Sequence, residues 1–225
     1  MQHARSYPRG TARCMAYSDA VATFRTTIQL QTRRFAEWAI APVARTGITP
    51  NGLTVIGLFL NIGAGVVLAS GEWFPGGVLV LVAGAFDMFD GALARVMNQK
   101  TAFGAFLDST LDRYSEVAVL VGLQLAFLRA AESDLTMWVG VTLAMVILAN
   151  SLMTSYARAR AEGLGLDCEV GLFQRPERVI GLGAALLLPY NAMIVVLTLV
   201  ALGTLITVYQ RVLHVWRLTA SERTQ

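Results

Sequence analysis

The chain has 225 residues, of which 55% are hydrophobic and only 15% charged, with a mean hydropathy of +0.56 and a formal net charge of +3. That balance excludes an ordinary soluble globular domain, and about six spans of roughly 20 residues would leave no room for a large soluble appendage. Cys14 and Cys168 stand in polar segments without metal-ligand spacing, which excludes a disulfide framework or a zinc site.

The first 45 residues hold seven arginines against Asp19 and Glu37 and contain no apolar run of the signal-peptide kind. Residues 1–17 read as a basic, flexible arm. Over 18–46, Val21, Phe24, Ile28, Phe35, Trp38 and Pro42 recur at near-helical spacing with arginines between them. This predicts an amphipathic juxtamembrane helix in the headgroup layer, although a surface helix docked on a bundle would need the same stripe. Apolar runs follow at about 52–70, 76–97, 105–129, 135–157, 178–196 and 193–215, with Pro189 and Asn191 as the only punctuation between the last two. They predict an all-α integral membrane protein, its six transmembrane helices forming one domain over 47–217 before a tail at 218–225. Trp73, Trp138 and Tyr190 mark one interface, and His214 with Trp216 read as anchors at the other. Small residues in Gly63-Ala64-Gly65 and Gly181–Ala185 point to close helix contacts or to a dimer surface. Seventeen of the eighteen basic residues fall on one face of this arrangement and Arg129 alone on the other. The positive-inside rule makes that face cytoplasmic, with both termini there, in the plasma membrane.

The second and third spans meet on an ordered pattern: Asp87-x-x-Asp90-Gly91-x-x-Ala94-Arg95, eight residues, then Gly104-x-x-x-Asp108-x-x-x-Asp112. A charge at membrane depth costs a few kcal/mol or more unless it meets a partner or water, so four carboxylates are functional candidates. Asp87, Asp90, Gly91 and Ala94 share one helical face; Asp108 and Asp112 share another. A turn around Asn98, Gln99 and Lys100 would bring the two acidic faces together. Converging carboxylates suit hard cations such as Mg²⁺ or Mn²⁺, which commonly share a phosphate ligand with substrate. Gly91 and Gly104 remove side chains where a phosphorylated ligand must approach the backbone, and Arg95 can answer a phosphate with paired donors. Two alternatives use the same residues. The aspartates could pair with Arg95, Lys100 and Arg113 as a structural cluster, or line a divalent-cation pathway, although a pore would spread its carboxylates across the membrane.

The full pattern from Asp87 to Asp112 resembles, without departure, the signature of the CDP-alcohol phosphatidyltransferases, and the likeness spreads over most of residues 35–215. The resemblance implies a six-helix membrane enzyme with a juxtamembrane helix, usually a homodimer, that moves a phosphatidyl group from CDP-diacylglycerol to an alcohol and releases CMP. It implies two metal ions, Mg²⁺ with Mn²⁺ possible, held by Asp87, Asp90, Asp108 and Asp112, with Asp112 also the general base. Gly91, Ala94, Arg95, Thr101 and Gly104 would form the CDP-lipid site together with Asn51, Gly52, Leu53 and Thr54. The lipid bilayer is an implied partner and nucleic acid is not.

Three segments look like those of the prokaryotic phosphatidylinositol phosphate synthases: Phe106–Arg113, Ser155–Glu162 and Gln174–Arg178. The acceptor implied is a myo-inositol phosphate, its phosphate met by Arg158, Arg160, Arg175 and Arg178. Positive-inside topology alone would also put arginines there, with Glu162, Asp167, Glu169 and Glu177 to neutralise them. One departure is Gln174, where a glutamate is the expected residue. A glycerol 3-phosphate acceptor is the competing reading within the family, disfavoured by Ser109-Thr110-Leu111 followed by Asp112-Arg113 in place of Pro-Leu-Ala and Asp-Lys. Membrane prenyltransferases also use acidic motifs with Mg²⁺, but they need more helices and lack the Gly91, Ala94 and Arg95 register.

Overall fold

The computed structural model describes residues 37–40, 42, 44, 47–99, 101–130 and 134–222. Most of the expected arm and juxtamembrane helix lies outside the described residues; 37–40 are helical, and Ile40 packs into a small cluster with Leu53, Ala92 and Leu93.

Six helices follow among the described residues: α1 Pro50–Ala69, α2 Trp73–Val96, α3 Ala102–Ala130, α4 Asp134–Glu162, α5 Arg175–Leu186 and α6 Tyr190–Glu222. Their ends follow local chemistry. Extended Thr49 caps α1 by accepting the Gly52 N–H on its hydroxyl at 3.1 Å, and Pro50 in the first turn needs no N–H partner. Gly71, at φ +93°, turns the chain from α1 to α2, a conformation that a side chain would strain. Asn98 takes the left-handed conformation at φ +52° in the turn between α2 and α3, where the Met97, Asn98 and Gln99 N–H groups bond to carbonyls of the last turn of α2.

Four helices, α1, α2, α4 and α6, are long and apolar enough to cross a bilayer. Of the other two expected spans, α3 has the length, at 29 residues, but begins with Asp108, Asp112, Arg113 and Glu116, and α5 has only 12 residues. The fifth span expected over 178–196 therefore ends at Leu186. Pro189 is the cause: without an N–H it cannot extend a helix, and its carbonyl instead accepts from Met193 to start α6 at Tyr190. That last helix continues past the expected end near 215, to Glu222.

Helix α1 packs on α2 and α3, α3 on α4, α4 on α6, and α5 bridges α2 and α6. Leu68, Leu123, Phe127, Ile147, Leu186 and Leu197 form the centre of the core. Phe59, Val66, Met145, Leu199 and Tyr209 point outward, more than half exposed. Apolar surface on that scale needs a lipid solvent. Between α1 and α3 the backbones nearly touch, because a Cβ on Gly65 would lie 2.4 Å from the Ala118 carbonyl oxygen and one on Gly122 2.2 Å from that of Gly65. Small residues allow such an approach where no hydrophobic drive between helices exists. This contact sets the spacing of α1 and α3, whose opposite ends frame the acidic pattern.

Candidate functional site

The four aspartates face one another across α2 and α3. Asp108 lies within electrostatic reach of Asp87, Asp90 and Asp112. Asp87 fits because α1 has no side chain opposite it: a Cβ on Gly57 would come within 2.8 Å of an Asp87 carboxylate oxygen. Buried Asn61, one turn further along α1, is also placed against Asp87, and the Thr54 hydroxyl sits beside Asp90. Thus α1 supplies a polar wall of Thr54, Gly57 and Asn61 at intervals of three and four residues, one helical face.

Arg175, in the first turn of α5, crosses to this cluster. Its Nη2 lies 2.6 Å from Asp87 Oδ2 and 2.8 Å from Asp112 Oδ1, so a single nitrogen bridges α2 and α3. Arg113 is a looser neighbour: its Nη1 donates to the Ser109 carbonyl at 2.6 Å and stands 3.5 Å from Asp112. Behind Arg175, Arg178 and Glu116 form an ion pair at 2.5 Å, with side chains 5% and 10% exposed. Both the Nε and Nη2 of Arg178 donate to the same Glu116 oxygen. A small cavity of about 30 Å³ joins these groups, lined by Asn61, Asp87, Ser115, Glu116, Arg175 and Arg178 among others. It has the volume of about one water, with polar groups on one wall and Val80, Val119, Leu120, Ile147, Val179 and Leu182 on the rest.

A second cavity, of about 240 Å³, opens between the ends of α1, α2 and α3. Asn51, Thr54, Gly91, Ala94, Arg95, Thr101 and Gly104 line it, together with Asp90 and Asp108. The remaining two residues expected at a CDP-lipid site, Gly52 and Leu53, are not in its lining: Gly52 donates to the Thr49 cap and Leu53 is buried against Ala92 and Leu93. At its rim Arg95 donates to Glu37 Oε1 at 2.6 Å, which ties α2 to the short helical stretch before α1.

The arginines expected at the acceptor phosphate do not form one cluster. Arg175 and Arg178 stand at the aspartates. Arg158 is turned away to Glu162 at 2.7 Å and Glu169 at 3.0 Å, and Arg160 is exposed with no ion pair among the described residues. The loop leading to Arg175 is strapped to α6 at successive turns: Phe173 N–H to Thr207 at 2.9 Å, Leu172 N–H to Gln210 at 3.0 Å, Arg211 to the Val170 carbonyl at 2.9 Å, and His214 to that of Asp167 at 3.1 Å. Buried Arg211 also donates to the Thr154 carbonyl. Gln174, the departure from the expected glutamate, donates to the Glu169 carbonyl at 3.0 Å and so closes the same loop. His214, expected as an interfacial anchor, is therefore also a loop tether.

Sequence reasoning passed over Glu116, Gly57, Asn61 and Glu37. Glu116 was within reach, since it follows Asp108 and Asp112 at steps of four on one face of α3. Glu37, Gly57 and Asn61 gain their roles only through contacts distant in sequence.

The acidic cluster matches a hard divalent cation in donor type and in charge. Its donors are the carboxylate oxygens of four aspartates, and one guanidinium bridges two of the four, Asp87 and Asp112, with only the weaker Arg113 ion pair besides among the described residues. The surplus negative charge at this depth calls for further positive charge. Among the described residues, no three His, Cys, Asp or Glu side chains converge on one point at metal-ligand geometry. The Arg175 guanidinium is the cation that Asp87 and Asp112 share.

Residues 47–219 match the family model described as CDP-alcohol phosphatidyltransferase. The chain is 36% identical over 191 residues to an archaetidylinositol phosphate synthase of Methanothermobacter thermautotrophicus, covering 82% of this chain and 90% of that protein. It is 38% identical over 181 residues to a phosphatidylinositol phosphate synthase of Mycobacterium marinum, covering 76% and 75%. Among solved structures it is similar to the Mycobacterium tuberculosis phosphatidylinositol phosphate synthase with CDP-DAG bound, at a TM-score of 0.73 and 32% identity over 81% of this chain and 94% of that one. The same enzyme in complex with manganese and citrate gives 0.70 and 33%, over 82% and 88%.

Proposed function

The chain belongs to the CDP-alcohol phosphatidyltransferases, a family of membrane-embedded, divalent-metal-dependent enzymes, and on that premise we propose that it transfers a phosphatidyl group from CDP-diacylglycerol to a hydroxyl of myo-inositol phosphate, releasing CMP. The observation that carries this reading is the adjacency of the larger cavity, whose walls hold seven of the nine residues expected at a CDP-lipid, to an acidic cluster with Arg175 and Arg178 behind it. Donor and acceptor thereby approach the aspartates from opposite sides.

Two divalent cations, Mg²⁺ or Mn²⁺, held by Asp87, Asp90, Asp108 and Asp112, would neutralise the donor's diphosphate. The protein's own groups do the rest. Arg95, steadied by Glu37, and Thr101 hold the nucleotide phosphates, while Gly91 and Gly104 let them near the backbone. Asp112 accepts the proton of the acceptor hydroxyl as its oxygen bonds to the lipid-side phosphorus. The bond from that phosphorus to the CMP oxygen breaks, and CMP leaves through the larger cavity.

Arg175 and Arg178 are assigned to the acceptor's phosphate, with Arg158 and Arg160 further out on the same side. The relatives that support this acceptor differ in their lipid, archaetidyl in one and phosphatidyl in the other, and agree on inositol phosphate. We place the active site and both termini on the cytoplasmic side of the plasma membrane from the arginine asymmetry, α3 and the short α5 together with the chain flanking it as the two further spanning segments, and the protein as a homodimer. The test is CMP release by the purified protein from CDP-diacylglycerol with Mg²⁺, offered inositol 1-phosphate, free inositol, glycerol 3-phosphate or serine in turn. Release with glycerol 3-phosphate and not with inositol phosphate would overturn the acceptor while leaving the transfer.

A further inference from the structure

The two arginines behind the aspartates are held in different ways. Arg178 is buried and spends two nitrogens on Glu116, a carboxylate of its own. Arg175 has no such private partner. Its Nη2 alone serves both Asp87 and Asp112, and its buried Nε finds no acceptor among the described residues. A guanidinium bound through one nitrogen gives up the paired geometry that makes arginine–carboxylate contacts strong. The Asp87 and Asp112 oxygens it uses lie on opposing helices and belong to the acidic set assigned to the cations. A divalent ion drawing on these two carboxylates and a guanidinium bridging them at 2.6 and 2.8 Å oppose each other through like charge, and an ion that uses Asp87 Oδ2 or Asp112 Oδ1 must also take them from Arg175.

We propose that Arg175 and the divalent cation compete for Asp87 and Asp112, so that loading the cation releases the Arg175 guanidinium to the acceptor's phosphate and sets the order of binding as cation first, acceptor second. This deepens, and rests on, the reading of the aspartates and Arg175 given above. The backbone at Arg175 stays put during the exchange. Phe173 and Leu172, just before it, are tied to Thr207 and Gln210 on α6, and Pro176 follows in the first turn of α5. The moving part is the arginine side chain, whose several rotatable bonds reach in more than one direction from a fixed Cα. The pair of sites then behaves as a thermodynamic couple: whatever removes Arg175 from the carboxylates must tighten the cation, and by reciprocity the cation must expose Arg175. The acceptor's anionic group consequently finds the Arg175 guanidinium free only after the metal is in place.

The experiment is a Mn²⁺ titration of the full-length protein in detergent without donor or acceptor, following free Mn²⁺ by electron paramagnetic resonance. Arg175→Ala is expected to bind Mn²⁺ at least about fivefold more tightly than wild type, the lower end of ordinary coupling between sites. Arg113→Ala, which removes a nearby positive charge that bridges nothing, is expected to shift affinity less than about twofold. Should Arg175→Ala not give a monodisperse protein, Arg175→Gln supplies the same readout. Unchanged or weaker Mn²⁺ binding in the Arg175 variants overturns the proposal, as does an equal gain in Arg113→Ala, which would mark a general field effect. For the order, inositol 1-phosphate is titrated into wild type with Mn²⁺ and with EDTA. Binding at least about tenfold weaker in EDTA supports the order, and equal binding overturns it. CMP release by the wild type tests the acceptor separately, and the Mn²⁺ titration uses neither substrate, so failure of one reading is distinguishable from failure of the other.

Discussion

Gly65 and Gly63 lie two residues apart in one small-residue run, and the structure separates them sharply. A Cβ at Gly63 meets nothing within 4 Å, whereas one at Gly65 would lie 2.4 Å from the Ala118 carbonyl oxygen, where ordinary contact begins at 3.4 Å. Gly65→Ala therefore has to part α1 and α3 by about 1 Å, since the obstacle is backbone and not the end of a flexible side chain. Overpacking of this kind costs about 1–3 kcal/mol, which for a chain of this size lowers Tm by roughly 2–12 °C. The same movement carries Asn51 on α1 away from Gly104 on α3, whose Cβ position lies 3.1 Å from the Asn51 side-chain oxygen, so donor KM should rise along with the loss of stability. Gly122→Ala, blocked at 2.2 Å by the Gly65 carbonyl, should behave alike. Melting of the three variants in detergent by intrinsic fluorescence, paired with CMP-release kinetics, gives both numbers. The reasoning fails if Gly65→Ala melts within about 1 °C of Gly63→Ala, because no relaxation of that size would then have been needed.

Three further outcomes are expected. Asp112→Asn should lower CMP release by about 10²- to 10⁴-fold while CDP-diacylglycerol still binds, as loss of a general base does; loss of donor and metal binding together with a lowered Tm would make Asp112 structural. Arg178→Ala leaves Glu116 charged and buried without its partner and should destabilise the protein by about 3–5 kcal/mol, with partial recovery in the double variant Arg178→Met, Glu116→Leu; no recovery would mean the pair is not the cause. Burial pushes the Cys168 thiol up, which keeps it in its unreactive protonated form, so maleimide should label it slowly in a Cys14→Ser background. Arg211→Ala should speed that labelling by freeing the strapped loop, even though removing a neighbouring positive charge by itself favours the protonated thiol. Unchanged labelling would show that the loop does not depend on Arg211.

Features carried by short spacings were legible in the chain. The pattern from Asp87 to Asp112 needs only helical periodicity and one tight turn, both encoded within 26 residues, and the structure sets its glycines and Arg95 around the larger cavity as that periodicity requires. The helix break at Pro189 was marked in the sequence too, but apolar residues run through it, so composition alone stretched the fifth span to 196. What stayed hidden depends on partners far along the chain. Nothing local tells Arg175, which reaches Asp87 across 88 positions, from Arg158, which finds Glu162 one turn away. Both are long cationic side chains in an arginine-rich stretch, and only the packing of α5 against α2 distinguishes them. The Arg95 contact with Glu37 and the strapping of the 167–173 loop by α6 are hidden for the same reason.

The aromatic end of the bundle, where Trp73, Phe127 and Tyr190 meet edge to face, serves as a zero from which depth can be counted. At about 1.5 Å per residue, Asp87 lies about 21 Å along α2 from Trp73 and Asp90 about 25 Å. Measured along α3 from Arg129, which caps the end of α1 through the Ala69 carbonyl, Asp112 lies about 25 Å away and Asp108 about 31 Å. With the aromatic end set at one edge of a hydrocarbon layer about 30 Å thick and α2 and α3 along its normal, as the proposed topology has them, Asp108 would fall at the other boundary and Asp87 and Asp112 several ångströms inside it. On that placement and the proposed reaction, the reacting phosphorus of the lipid would not have to leave its leaflet, and the burden of crossing between phases would rest on the water-soluble reactant, which would descend past the headgroups to meet it.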